Sequence, residues 1–364
     1  MSAPIPFHDL KPLTGPLVPA LHRAFRRVLA RGRFILGQET ALFEKEFAAF
    51  LGVPYCVGVG SGTDAITLAL LALDIGPGDE VITSALTAYP TITGICQAGA
   101  HPVLVDVRAD DGLMDPVLVR RAVSRRTKAI VPVHLYGQSC DMTPLLRTAR
   151  QYGLKIVEDC AQSTGALYDQ RPTGSMGDCG AFSFYPTKNL GAFGDAGAVT
   201  TSRPAVYRRL LRLRDYGRGA RGAFLEPGIN SRLDEIQAAF LRVKLTRLEG
   251  WIRARRRLAA RYRQLGPKLC LAEQKGQHHA YHLFVVRVPH RSRVVSRLRA
   301  KGIGTAVHYP RPVNREKAFC WPQRGRFVQA EKLSREILSL PLYPGMTGLQ
   351  VRSVMRGLNE SLER

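Results

Sequence analysis

The chain has 364 residues, 45% of them hydrophobic and 23% charged, which is enough for a sizeable buried core and suits a globular protein of two packed units. The 53 Lys and Arg outnumber the 29 Asp and Glu by 24, a surplus that fits an anionic partner such as a phosphorylated small substrate. No nucleic-acid recognition motif accompanies that charge, so nucleic acid is not the expected partner.

Seven cysteines, at 56, 96, 140, 160, 179, 270 and 320, show neither a CxxC pair nor metal-type spacing with histidine. They read as reduced thiols, which excludes a disulfide framework and a structural zinc. No window has the eighteen or so consecutive apolar residues of a membrane span. The opening "MSAPIPFHDLKPLTGP" lacks the basic and apolar regions of a secretory leader, so a cytoplasmic location is expected.

Along the chain, "ALFEKEFAAFLG" places Phe43, Phe47 and Phe50 at steps of four and three, one face of a helix. "YCVGVG" then reads as a buried strand, "TDAITLALLALDI" as a helix and "GPGDEVITSA" as a turn leading into a strand. "HPVLVDV", "KAIVPVHLYG" and "LKIVEDCA" continue as strands, separated by helices. Apolar strands without polar alternation, with helices between them, predict a mostly parallel sheet covered on both faces.

From Asn230, "NSRLDEIQAAFLRVKLTRLEGWIRARRRLAARYRQLG" is a long helical stretch, expected to break near Gly250. Leu233, Ile236, Phe240 and Val243 line one side of its start. Its arginines, like those of "YRRLLRLRDYGRGARG", alternate with apolar residues that their aliphatic stems can cover. Beyond it "YHLFVVRV", a helix, "GTAVHY" and two late helices make an α+β tail. The expected division is a large domain over 1–250 and a smaller C-terminal domain over 251–364.

Three clusters carry chemistry, each at a strand end, where open α/β sheets bind ligands. In "GVGSGTDAITLAL" a strand runs into Gly60-Ser61-Gly62-Thr63 and then a helix, whose unpaired first amides attract an anion such as phosphate. The ordinary alternative is a plain helix cap. In "LKIVEDCAQSTGA", Asp159 ends an apolar strand with Gln162 three residues on. A carboxylate there can keep a pyridine nitrogen protonated, as pyridoxal phosphate requires, or can simply close a strand. In "FSFYPTKNLGAFGDAGAV", Lys188 follows an apolar run and precedes glycines at 191, 194 and 197. A partly neutral amine there would form a Schiff base with an aldehyde, whereas a lone lysine ordinarily reaches solvent. The three in this order supply a phosphate cradle, a ring-nitrogen carboxylate and an amine.

At these residues the sequence resembles the DegT/DnrJ/StrS family of pyridoxal-phosphate-dependent sugar aminotransferases, within the aspartate-aminotransferase fold group (fold type I). "AGAHPVLVDV", "VPVHLYGQSCDM", "VEDCAQSTGA", "FSFYPTKNLGAFGDAGAV", "INSRLDEIQAA", "GIGTAVHYPRPV" and "LSLPLYPGMT" follow the N-terminal stretch "GRFILGQETALFEKEFAAFLG" in the family's order. The resemblance implies a seven-stranded-type sheet sandwiched by helices. It gives Lys188 the role of Schiff-base lysine, Asp159 that of the pyridine-nitrogen partner, and Gln162 that of the amide beside the ring hydroxyl. Gly62, Thr63 and Ser183 fall where the family holds the cofactor phosphate. Asn230 matches a residue reaching the phosphate of a neighbouring subunit, which implies a homodimer.

Implied too are glutamate or glutamine as amino donor, a nucleotide-linked keto sugar as acceptor and pyridoxamine phosphate as the intermediate cofactor form. Sugar dehydration on the same fold, or a regulatory protein without turnover, are the alternatives; a retained Lys188 favours amino transfer. Two stretches depart from the family pattern. Ala88, in "TAYPT", stands where most relatives stack an aromatic on the cofactor ring, and Tyr89 beside it is expected to point elsewhere. "RDYGRGARGAFLEPGIN" keeps only the flanks of its counterpart. His308, Tyr309 and His134 are read as near the site without a catalytic role.

Overall fold

Short apolar segments that end in small or polar residues set the architecture. The computed structural model describes residues 4–219, 222–274, 276–319 and 325–363, so Cys320 lies outside the described residues. In chain order the elements that position the site begin with helices α1 (Val18–Arg31) and α2 (Gln38–Leu51). Then come β1 (Tyr55–Val59), α3 (Gly62–Ala72), β2 (Glu80–Ser84), α4 (Tyr89–Gln97) and β3 (His101–Val105). Next are α5 (Pro116–Ala122), β4 (Thr127–Val131), α6 (Met142–Tyr152), β5 (Lys155–Asp159) and β6 (Cys179–Ser183). They are followed by β7 (Gly197–Thr201), α7 (Pro204–Leu213), α8 (Glu235–Leu245) and α9 (Leu248–Leu265). The chain closes with β8 (Phe284–Arg287), α10 (Arg291–Ala300), α11 (Val328–Glu336), β9 (Ile337–Leu340) and α12 (Gly348–Leu362).

Seven strands form one sheet in the order β1-β7-β6-β5-β4-β2-β3. β7 pairs antiparallel with both β1 and β6, while the pairs β6–β5, β5–β4, β4–β2 and β2–β3 are parallel. Only β7 therefore runs against the rest, which is the mostly parallel sheet expected from strands without polar alternation. α3 is buried nearly all round, with Ala65, Leu68, Ala69 and Leu70 inaccessible to solvent, because it lies between the sheet and α4. Gly94 of α4 makes that approach possible: a Cβ there would come within 2.9 Å of Ile66 Cβ.

α2 supports the strand leading to Lys188. Phe47 meets Phe182 and Phe184 edge-on at 5.0 and 5.2 Å, and Phe43 meets Phe184 at 5.3 Å. Such pairs add about 0.5–1.5 kcal/mol each beyond their buried area. α2 is held by α8: the Glu235 carboxylate accepts the N–H groups of Gly37, Glu39 and Thr40 at 2.8–2.9 Å, capping α2 from far along the chain. Buried Glu39 is met by Arg27, Arg31 and Arg242. Burial pushes its carboxyl pKa up, but bonds to these three guanidiniums outweigh that and hold it low.

The long helical stretch from Asn230 breaks at Thr246–Arg247, not near Gly250, which lies inside α9. A single exposed glycine costs a helix only about 1 kcal/mol relative to alanine, less than flanking packing returns. In the tail, "YHLFVVRV" supplies β8, but its partner is β9; "GTAVHY" meets that sheet at Ser339, through an Ala306–Ser339 bridge and a 2.9 Å bond between His308 Nδ1 and Ser339 Oγ. Around this pair Tyr262, Leu298, Val351, Val354 and Leu358 form a second core, joined by Ile5 from the N-terminal end. Ile5 is tied there by bonds to Gly302 and Gly304. We propose residue 250 as the dividing point between the two packed units, with that N-terminal segment crossing it. No helix among the described residues is long and apolar enough to cross a membrane.

Glu235→Ala would leave three helix-start amides unpaired. We expect a loss of about 3 kcal/mol in urea unfolding, with Glu235→Gln losing less. A loss below about 0.5 kcal/mol, the range of a neutral surface change, would contradict the role given to this cap.

Candidate active site

The carboxyl ends of β1, β2, β5 and β6 converge on one edge of the sheet, and a cavity of about 350 Å3 opens there. That volume lies within the range of small-molecule sites, about 300–1,000 Å3. Gly62, Thr63, Asp159, Ser183 and Lys188 all line it, although the sequence spreads them from position 62 to position 188.

The first wall is the start of α3. Ser61 caps it: its hydroxyl accepts the Asp64 N–H at 3.1 Å and its carbonyl accepts the Ala65 N–H at 3.0 Å. Helix geometry leaves the N–H groups of Gly62 and Thr63 without an intrahelical acceptor, at the cavity surface and at the positive end of the helix dipole. The turn is braced from behind, where Ser231 Oγ accepts the Gly60 N–H at 2.9 Å and donates to Asp64 at 2.7 Å. Gly62 has to be glycine: a Cβ would stand 2.6 Å from Ser183 Cβ at the end of β6. This close approach brings the Ser183 hydroxyl beside the two free amides, a donor set suited to a phosphate.

The second wall is Asp159, buried at the end of β5. Its Oδ1 accepts the Ala161 N–H at 3.0 Å and its Oδ2 accepts the Thr91 hydroxyl at 2.7 Å. Thr91 has one proton and gives it to the carboxylate, so Thr87, 2.7 Å away, donates to Thr91. The third element is Lys188, in the turn that joins β6 to β7. Its N–H bonds Tyr185 O at 2.8 Å, and Ala192 N–H closes back on Phe184 O at 2.7 Å. The side chain is half-buried, with its amine in the cavity. Burial lowers the pKa of that amine to about 8, and the Asp159 charge opposes the shift only in part.

Gln162 lies behind this wall. Its Oε1 accepts the Tyr136 N–H at 2.7 Å and its Nε2 donates to Tyr309 Oη at 3.0 Å, so it holds Tyr309, which does line the cavity. Asn230 is exposed and is not among the residues lining its own chain's cavity. Tyr89 departs from expectation: it lines the cavity beside Ala88. A helical side chain covers the turn N-terminal to its own Cα, so a residue in the first position of α4 folds back over the mouth. Its hydroxyl donates to Glu316 at 2.7 Å, and its ring lies 5.9 Å from that of Tyr309. Burial and the Glu316 bond raise its pKa to about 12.

Thr91, Tyr185 and Asp195 also belong to the site's surroundings and escaped the sequence reading. For Thr91 a signal existed, a second hydroxyl in "TAYPT", but its link to Asp159 depends on strand order. His134, Glu158 and Cys160 are buried together. His134 Nδ1 accepts the Cys140 N–H at 3.0 Å, which puts the ring proton on Nε2, facing Glu158 at 3.0 Å. Glu158 also accepts the N–H groups of Gly174, Met176 and Gly177. His134 and Glu158 are satisfied by each other and by these backbone amides, and they brace β5.

Residues 19–359 match the DegT/DnrJ/EryC1/StrS aminotransferase family, and the chain belongs to that family. It is 46% identical to the dTDP-3-amino-3,4,6-trideoxy-alpha-D-glucose transaminase of Micromonospora megalomicea, over 92% of this chain and 94% of that one. The crystal structure of Streptomyces venezuelae DesV, solved in complex with a ketimine intermediate, superposes with a TM-score of 0.97 at 42% identity, each chain fully covered. The structure of NtdA from Bacillus subtilis with bound PMP gives 0.93 at 30% identity, covering 100% of this chain and 86% of that one. The protein is a pyridoxal-phosphate-dependent aminotransferase. The residues present fit that cofactor: amides and a hydroxyl for the phosphate, a buried carboxylate for the ring nitrogen, and a lysine with a lowered pKa.

Gly62→Ala must push α3 away from Ser183, and overpacking of this kind costs about 1–3 kcal/mol. We expect pyridoxal phosphate to bind the variant apoenzyme at least about tenfold more weakly in an absorbance titration, about 1.4 kcal/mol. Unchanged affinity would detach this close approach from the phosphate cradle.

Proposed function

We propose that the enzyme moves an amino group from glutamate or glutamine to a nucleotide-linked keto sugar, with Lys188 as the reacting amine. The observation that carries the reading is that amine, half-buried and lowered to about 8, in one cavity with Asp159 and the open start of α3. The M. megalomicea relative's name supports a dTDP-linked sugar aminated at carbon 3 as the first substrate to test. The chain's surplus of 24 positive charges suits an acceptor that carries a diphosphate.

Gly62, Thr63 and Ser183 would hold the cofactor phosphate, Asp159 the ring nitrogen, and Lys188 the aldehyde carbon. When bound, pyridoxal phosphate supplies an aldehyde that condenses with amines and a ring that takes up carbanion charge. Asp159 keeps a proton on the ring nitrogen: both its oxygens are fixed by Thr91 and Ala161, so its charge needs no rearrangement during the reaction. Lys188 Nζ would take the proton from the donor's α-carbon and later return one to the acceptor sugar's former carbonyl carbon. Its lowered pKa matters here, since an ammonium can neither attack nor accept a proton. Gln162 acts through Tyr309, which it orients at the cavity wall.

The assembly we propose is a homodimer. Asn230 is solvent-facing in the single chain, as are Phe34, Ile35, Phe193, Phe224 and Leu225. A second copy would cover apolar surface of this kind and bring Asn230 to the partner's phosphate.

Lys188→Ala should lower turnover by about a thousandfold or more, within the range for removing a general base. Borohydride reduction of holoenzyme should leave the cofactor on the peptide containing residue 188, and label on any other lysine would overturn the assignment. Product analysis with glutamate and dTDP-linked keto sugars should find an amino sugar; a dehydrated product instead would change the reaction class.

The amine's pKa gives a pH dependence. Below about 8 the reactive neutral form grows with pH, so apoenzyme should take up pyridoxal phosphate up to about tenfold faster per pH unit. Above 8 the rate should level off. Stopped-flow absorbance checks this, and a rate rising unchanged to about pH 10, as for an ordinary lysine, would contradict it.

A further inference from the structure

A second lysine is buried on the far side of the Lys188 turn. Lys244, near the end of α8, is only 5% exposed, yet no carboxylate among the described residues pairs with it. Burying a lone cation is costly, and an apolar residue of similar length would fill the place at lower cost. Its Nζ donates to the Gly191 carbonyl at 2.6 Å and sits 3.5 Å from the centre of the Phe193 ring. Burial draws its pKa down to about 8, so at neutral pH the protonated form still predominates.

Two further α8 side chains meet the same limb of the turn. Gln237 Oε1 accepts the Phe193 N–H at 2.8 Å, and Phe240 meets the Phe193 ring edge-on at 5.3 Å. Positions 237, 240 and 244 are three and four apart, so they share one face of the helix. Gly191 in turn is pressed on Pro186: a Cβ there would stand 2.2 Å from Pro186 O. Movement at Gly191 is thereby passed to the residue two before Lys188.

We propose that Lys244 is a positioning residue for the reaction, a cationic clamp from α8 on Gly191 and Phe193 that fixes the turn carrying Lys188. The clamp rests on the reading of Lys188 as the reacting amine, but one part of its test does not.

In cofactor-free Lys244→Met, hydrogen exchange followed by mass spectrometry should be at least about tenfold faster in peptides covering 189–193. In the holoenzyme, the pH midpoint of the Lys188-bound cofactor's absorbance should move by about half a unit or more. kcat should fall about tenfold with KM changed less than about twofold, as expected when a reacting group is misplaced while substrate binding is kept. Tm should stay at or above that of the wild type, because a buried unpaired charge has gone. Lys244→Arg, which keeps the charge, the donor and the cation over the ring, should recover kcat and midpoint at least in half.

Wild-type exchange together with a wild-type midpoint in Lys244→Met overturns the clamp. So does a kcat loss matched by a fall in Tm that Lys244→Arg does not restore, the behaviour of a purely structural residue. If Lys244→Met gives no folded protein, Lys244→Gln carries the test: kcat reduced about threefold or more at wild-type Tm supports the clamp, and wild-type kcat and midpoint overturn it. Faster exchange at 189–193 in a protein whose cofactor proves to be attached elsewhere leaves the clamp standing and removes the assignment of Lys188.

Discussion

The site depends on one reversal in the sheet. Because β7 runs against β6, the chain has to turn at the sheet edge where β1, β2, β5 and β6 deliver their carboxyl ends. Had β7 followed the parallel direction, a crossover would have carried the chain away from this edge. The turn instead holds Lys188 beside Asp159 and the start of α3. Within the connection, Phe184, Tyr185 and Ala192 spend backbone groups closing the segment that carries Lys188.

Adjacent carboxylates on β5 show how position along a strand separates structural from chemical roles. Successive side chains point to opposite faces, so Glu158 and Asp159 enter different surroundings. Burial alone would raise the carboxyl pKa of Glu158, but His134 and backbone amides reverse the sign and hold it low. Every acceptor position on Glu158 is thereby committed to bracing the loop after β5. Among the described residues, Asp159 accepts one hydroxyl and one amide, and it faces the cavity.

Legibility in the sequence followed the range of the interactions. The alternation of apolar strands and helices is local and was readable, as was the glycine-flanked turn around residue 62. The reversal of β7 was not, because pairing direction depends on which strands become neighbours. β9 was passed over for "GTAVHY" since four residues, Ile337–Leu340, directly follow a helix with no turn signal between. Thr91, Tyr309 and Glu235 act across 68, 147 and about 196 positions, on Asp159, Gln162 and the start of α2 respectively. No spacing rule links residues so far apart; only the fold does. Tyr89 shows the opposite error, a local rule applied without the direction a helical side chain takes at the first turn.

α8 gathers these long-range interactions into one element. Its first residue, Glu235, caps α2, and α2 in turn packs Phe43 and Phe47 under the strand that leads to Lys188. One face along its length, through Gln237, Phe240 and Lys244, meets the limb that leaves Lys188. Leu241, between them, lies in the same apolar cluster as Leu190 and Ala192. One helix of eleven residues therefore fixes both sides of the turn, directly on one and through α2 on the other. Two of its buried groups are charged, and hydrophobic burial does not call for either. Glu235 is satisfied by three amides, a complete cap that stabilises the fold. Lys244 meets a single carbonyl and a ring face, too little to offset its burial, so its presence is better explained by where it holds Gly191 than by what it adds to stability.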